Sequence, residues 1–207
     1  MPNTDYTDIT LIWDRSGSMA SMGAEPVGSY QAFLEDQAKT PGKCHVSALL
    51  FDHEYAWAYR DVPVAEAGAK PFPWNPRGNT ALFDAVGRAI TEAGMRFAAM
   101  DEPERPGKVI FVILTDGLEN SSKDWNRAGL RNAIERQTRD YGWSFVYLGV
   151  AAEAFVAEAR SIGTSSAMMA NYAQGVPGAA AGMVAQVSKK VAAYRSTGVG
   201  GQSLGSE

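Results

Sequence analysis

The apolar run Ile9-Thr10-Leu11-Ile12-Trp13 ends at Asp14 and reads as a buried strand. Val27 to Ala38 carries Tyr30, Phe33, Leu34 and Ala38 at helical spacing, and Pro41-Gly42 closes that helix. Val46 to Phe51 is a second buried strand. Tyr55, Trp57 and Tyr59 then alternate with Ala56, Ala58 and Arg60, the pattern of a half-exposed edge strand paired antiparallel with the second. Residues 61–79 hold Pro63, Pro71, Pro73, Pro76, Gly68 and Gly78 and are predicted to form a long irregular connection, a feature that usually carries function.

A helix follows over Ala81 to Met100, with Leu82, Val86, Ile90, Ala93 and Phe97 on one face. Val109 to Leu114 is apolar at every position, the mark of a central parallel strand, and leads into Thr115-Asp116-Gly117. A helix over Asn126 to Tyr141 is closed by Gly142, and Phe145 to Leu148 is the next strand. A short helix over Ala152 to Ile162, a strand over Met168 to Tyr172 and a last helix starting at Pro177 complete the series. The alternation predicts an α/β fold, a mostly parallel sheet with one antiparallel edge strand and helices on both faces. Ligands of such sheets bind beyond the carboxyl ends of the strands. Asp14, Asp52 and Asp116 stand there.

Composition narrows the function classes. With 207 residues the chain is long enough to bury a core without staples. Nineteen basic against 23 acidic residues leave a net charge of −4, and no Lys/Arg cluster offers a nucleic-acid or membrane footprint. No apolar run reaches a membrane span and no signal peptide opens the sequence, so a cytoplasmic protein is expected. A single cysteine, Cys44, excludes an internal disulfide and a Cys-cluster zinc site; two histidines leave little for imidazole chemistry. The Gly/Ser-rich segment 197–207 is expected to be a flexible tail behind a domain spanning 1–196.

Asp14-Arg15-Ser16-Gly17-Ser18 places three oxygen side chains at alternate positions of a tight turn, a set suited to a hard cation such as Mg²⁺. The same residues also serve a plain strand-to-helix turn with Ser and Asp as caps. Two further segments tip the balance: Gly78-Asn79-Thr80-Ala81-Leu82, where the long loop enters a helix, and Leu114-Thr115-Asp116-Gly117, at the end of the central strand. Together these three segments resemble the metal-ion-dependent adhesion site of the von Willebrand factor A domain family, and the likeness in element order runs from Ile9 to about Arg195.

The resemblance implies a three-layer, Rossmann-like fold and a metal site made by Asp14, Ser16, Ser18, Thr80 and Asp116, holding Mg²⁺, with Mn²⁺ or Ca²⁺ as alternatives. It also implies a non-enzymatic module that engages an Asp or Glu of a protein partner through the ion, like the small stand-alone bacterial and phage members, several of which serve AAA+ ATPases as adaptors. A structural role, for instance in a phage particle, is the alternative, and would place the chain in a virion. A Mg²⁺-dependent hydrolase is a weaker reading, because a haloacid dehalogenase-type site needs an acid where Ser16 stands and no P-loop or nucleophile elbow is present. Trp74, Arg77, Leu118 and Trp125 lie on the loops expected to rim the site and are candidate partner contacts. Asp84 and Glu119 are candidates for supporting it.

Overall fold

The computed structural model describes residues 1–150, 153–163, 169–173 and 176–198. Six strands form one sheet: β1 (Asn3–Asp14), β2 (Lys43–Phe51), β3 (Tyr55–Pro63), β4 (Pro106–Leu114), β5 (Ser144–Val150) and β6 (Met169–Tyr172), in the order β3-β2-β1-β4-β5-β6. All neighbours run parallel except β3, which pairs antiparallel with β2 at the edge. From β1 the chain first builds outward through β2 and β3, then returns to the other side for β4, β5 and β6. The order therefore reverses between β1 and β4, and a crevice opens beyond their carboxyl ends. Asp14 is the last residue of β1, and Asp116 lies two residues past β4.

Helices α1 (Glu25–Lys39), α2 (Val64–Ala67), α3 (Leu82–Ala98), α4 (Arg127–Tyr141), α5 (Glu153–Ser161) and α6 (Ala179–Thr197) make the outer layers. Strand periodicity shows how the layers divide. Trp13 donates its indole N–H to the Pro26 carbonyl in α1, whereas Asp8, an odd number of positions away, pairs with Arg96 in α3, so α1 and α3 cover opposite faces. Between them, the central strand is buried without a break from Val109 to Leu114. No helix among the described residues is long and apolar enough to cross a membrane.

Several boundaries differ from the sequence reading for physical reasons. Strand β1 begins at Asn3, six residues before its apolar run, because β2 and β4 supply ladder partners on both sides and Arg96 neutralises the buried Asp8. The connection expected to be irregular over 61–79 is ordered as far as Ala67: β3 runs to Pro63, and α2 buries Val64 and Ala67. The last helix starts at Ala179, two residues after Pro177. Its first turn is capped from α1, where Glu25 accepts the N–H groups of Gly178 at 3.2 Å and Ala181 at 2.8 Å. Gly142 closes α4 in the left-handed conformation, with φ of 67°, as its position suggested. Ala152, Met168 and the tail segment 199–207 lie outside the described residues.

Candidate metal centre

Three loops meet beyond β1 and β4, and backbone hydrogen bonds lace them together. After Asp14, the Arg15 N–H continues the ladder to the Phe51 carbonyl at 2.7 Å. The Ser16 N–H turns back onto Asp14 Oδ1 at 2.6 Å, and a 3-10 turn over Gly17–Met22 follows, anchored by the buried Met19. The long loop runs alongside: Arg77 N–H meets the Arg15 carbonyl at 2.8 Å, and Gly17 N–H meets the Gly78 carbonyl at 3.1 Å. Gly78 has a φ of +65° and lies so close under the His53 ring that a Cβ there would overlap it. Thr80 is held from both sides by Asn120, whose side chain accepts its N–H at 2.9 Å and whose own N–H reaches its carbonyl at 3.0 Å.

This lacing brings the five candidate ligands together. The Ser16 and Ser18 hydroxyl oxygens are 3.1 Å apart, and Ser18 donates to Asp116 Oδ1 at 2.6 Å. Thr115 donates to Asp14 Oδ2 at 2.5 Å, an expected consequence of register, since Leu114 sits beside Trp13. Thr80 completes the group from the third loop. A Cβ built on Gly117 would lie 3.2 Å from Thr80 Oγ1 and 3.6 Å from Ser18 Oγ, so the bare backbone at 117 leaves room for both hydroxyls.

The electrostatics of this group are unbalanced. Asp14 is fully buried, and burial pushes its carboxyl up to about 6 against the hydrogen bonds from Thr115 and Ser16; the facing Asp116 adds to the rise. Burial raises Asp116 as well. Among the described residues neither acid has an ion-pair partner. Two carboxylates and three hydroxyls, with neither sulfur nor imidazole, form a donor set for a hard divalent cation. The residues present fit such an ion.

Asp52, one residue past the end of β2, is a buried ionic hub. Arg15 and Arg77 each reach its Oδ2 at 2.9 Å, and the Glu54 N–H donates to Oδ1. Burial pushes the Asp52 carboxyl up, but the Glu54 N–H and the two guanidiniums outweigh it and hold it below its ordinary value. Asp52, His53 and Glu54 cluster closely enough to suggest a second metal position. The two guanidiniums already satisfy that cluster's charge, so it is a poor cation site. The sequence does not single out Thr115 or Asn120 as site residues. Their one signal is adjacency to Asp116 and the loop that follows it.

Asp84 and Glu119 act on the loop rather than at the ion. Asp84 accepts the N–H groups of Lys123, Asp124 and Trp125, and Glu119 accepts those of Phe83, Ser121 and Ser122, so the 117–125 segment is tied to the start of α3. Two of the four candidate partner contacts are spent inside the fold. Trp74 donates its indole N–H to the Asp14 carbonyl at 3.0 Å and packs on the core; Trp125 lies across Gly87 of α3, where a Cβ would overlap its ring. Arg77 is exposed but bound to Asp52 and Glu54. Leu118 is the rim residue that leaves an apolar side chain outward, 43% exposed.

No protein-family model and no curated protein matches the sequence. In three dimensions the chain is similar to several solved structures. The vWF domain of the type V pili tip protein Mfa5 from Porphyromonas gingivalis aligns with a TM-score of 0.65 at 12% identity, covering 93% of this chain and 96% of that one. Proximal thread matrix protein 1 from the mussel byssus, with a zinc-occupied MIDAS motif, aligns at 0.63 and 17% identity, covering 90% and 45%. This chain therefore spans under half the length of the mussel protein. The manganese-loaded Plasmodium vivax TRAP protein aligns at 0.59 and 10% identity, covering 83% and 70%. The fold is that of a von Willebrand factor A domain.

Proposed function

We propose that the chain is a divalent-metal-dependent protein-binding module, with Asp14, Ser16, Ser18, Thr80 and Asp116 as the residues that hold the ion. One observation carries the reading: the buried Asp14 and the half-buried Asp116 face three hydroxyls at the sheet's switch point, and among the described residues neither carboxylate has an ion-pair partner. When bound, the ion supplies an electrophilic centre that accepts further oxygen donors. Three of the five protein ligands are neutral, so an incoming Asp or Glu carboxylate is favoured electrostatically. The zinc-occupied motif of the mussel protein and the manganese loading of TRAP support a divalent ion in this fold. Mg²⁺ is our assignment, with Mn²⁺ and Ca²⁺ as ions the same oxygen set can take.

The binding chemistry needs no catalysis, and we read the chain as a non-enzymatic adaptor whose partner presents the acid; an AAA+ ATPase in the cytoplasm is one candidate. The pili tip domain, which this chain matches along nearly its full length, favours a second setting in which the same contact joins subunits of an assembly. The test begins with the metal alone. Calorimetric titration with Mg²⁺ and Mn²⁺ should give one site per chain, and Asp14→Ala should abolish it while the fold persists. A partner retained on the immobilised chain should leave in EDTA and return with Mg²⁺, and Asp116→Ala should behave like EDTA. Equal metal affinity in Asp14→Ala would overturn the site, and retention of the partner in EDTA would overturn the bridging role.

A further inference from the structure

At the end of the sheet opposite the metal centre, a cavity of about 500 Å³ opens between the carboxyl ends of α3 and α4 and the start of β4. Its floor is aromatic and apolar: Phe97, Val109 and Trp143 are nearly buried, yet line it. These rings are fixed in place. Trp143 stacks on Phe111 at 5.4 Å and meets Phe97 edge-on at 5.7 Å. Tyr141, 62% exposed, lines the mouth, and Met95, 68% exposed, follows the lining residue Gly94.

The charged groups at the rim are mostly cationic. Two guanidiniums, Arg105 and Arg136, stand against one carboxylate, Glu102, which lies 3.4 Å from the Met1 ammonium. Arg105 is oriented by its Nε, which donates to the Met100 carbonyl at 3.0 Å. Arg136 is loosely held: its neighbour Asp140 is 4.0 Å away and is already engaged by Arg139 at 2.7 Å. Gly94, inside helix α3, has nothing within 4 Å of where its Cβ would stand. A helix interior carries a glycine at a cost of about 1 kcal/mol relative to alanine, and here that absence of a side chain keeps the mouth open.

We propose that this cavity is a second ligand site, one that takes a small aromatic anion with its flat body on Trp143 and Phe97 and its acidic group toward Arg105 and Arg136. The volume lies within the roughly 300–1,000 Å³ of small-molecule sites, and the lining has their character, an apolar floor with a few charged groups that set orientation. A guanidinium offers paired N–H donors to a carboxylate, sulfonate or phosphate and stacks on aromatic rings. The chain's net charge of −4 makes two arginines on one apolar rim a local reversal of sign. The site is separate from the metal centre, at the other end of the strands, and does not depend on how that centre is used.

The probes are the anion anilinonaphthalene sulfonate and its uncharged relative phenylnaphthylamine, titrated by fluorescence into the full chain. The sulfonate should bind saturably, one per chain, and equally in Mg²⁺ and in EDTA. Gly94→Leu should fill the mouth and weaken both probes by more than about tenfold, while raising or preserving the melting temperature because leucine favours the helix. Arg136→Gln should weaken the sulfonate about three- to fivefold, the scale of one exposed ion pair, and leave phenylnaphthylamine unchanged. Unsaturable binding, or equal affinity in Gly94→Leu, would overturn the proposal. So would one probe per two chains with a dimer by sedimentation, which would assign the cavity to an interface between copies.

Discussion

Gly117→Ala is the smallest change that tests the metal centre without touching a ligand. The φ of Gly117 is not positive, so alanine is compatible with the backbone and the fold should keep its stability to within about 1 kcal/mol. The new Cβ, however, lies 3.2 Å from Thr80 Oγ1 and 3.6 Å from Ser18 Oγ. The first distance is too tight, and one partner must yield by a few tenths of an ångström. Thr80 has little freedom to do so, because Asn120 holds its N–H and its carbonyl at 2.9 and 3.0 Å. Metal–oxygen bonds tolerate about 0.2 Å, and Mg²⁺ demands a near-ideal octahedron at ~2.1 Å. Displacing one hydroxyl on that scale should cost 10- to 100-fold in Mg²⁺ affinity, the range for changes just outside a ligand set. Ca²⁺, with longer bonds and looser geometry, should lose much less. Calorimetric titration of both ions, beside a thermal melt of each protein, measures this directly. Unchanged Mg²⁺ affinity in a folded Gly117→Ala protein would refute the placement of Thr80 and Ser18 at the ion.

Asp52→Asn should lower Mg²⁺ affinity severalfold although Asp52 donates nothing to the ion, because Arg15 and Arg77 lose their counter-charge beside the site; the gap from the parent should narrow in high salt, and a gap that widens there would exclude the electrostatic cause. Glu25→Ala should destabilise the fold by about 1 kcal/mol by uncapping α6, read as a shift in the urea midpoint with metal affinity unchanged. Asp8 holds its proton to about pH 6 in the fold but only to 3.8 in the unfolded chain, since burial dominates over its pairing with Arg96 near Asp61 and His45. The folded state binds the extra proton between those values, so this stability is present at low pH and lost as pH rises through about 6. Asp8→Asn lacks the effect, and its stability relative to the parent should climb between pH 5 and 7.5 by about 1.4 kcal/mol, the equivalent of the one pH unit between 5 and 6; a flat difference would show that Asp8 is ionised throughout.

The sequence made the sheet legible because its central strands bury both faces and so appear as almost wholly apolar runs. Where burial was polar, the same signal failed. The first half of β1 reads Asn3-Thr4-Asp5-Tyr6-Thr7-Asp8, and it becomes strand because Arg96, 88 positions away, compensates Asp8. The cap of α6 is equally nonlocal, since Glu25 supplies it from 153 positions upstream. Two of the rim residues are tied into the fold for a related reason. Trp74 and Trp125 have the composition of contact residues, but an indole N–H within reach of the Asp14 carbonyl, and a bare Gly87 for a ring to lie on, turn them into packing. Neither partner is visible from the tryptophan's own neighbourhood in sequence.

The proposed metal centre raises a sharper question of why Asp14 and Asp116, rather than the tighter acidic group at Asp52, His53 and Glu54, are the residues assigned to a cation. Proximity of acids alone would choose the second. What decides is where the arginines go. Arg15 sits between Asp14 and Ser16 in the sequence and is the obvious counter-ion for the buried Asp14. Instead the β1 turn sends it to Asp52, and Arg77 joins it there from the long loop. One carboxylate thus absorbs two guanidiniums. The neighbouring pair is left with hydroxyls as its main company, and the cost appears in the raised proton affinity of both acids. A buried carboxylate without a cation is expensive, and a protein under no other demand would let Arg15 turn inward and relieve it. Holding that arginine away keeps Asp14 and Asp116 short of positive charge, the condition under which a divalent ion gains most by entering. On this reasoning Asp52 belongs to the design of the metal centre as much as the residues that would touch the ion.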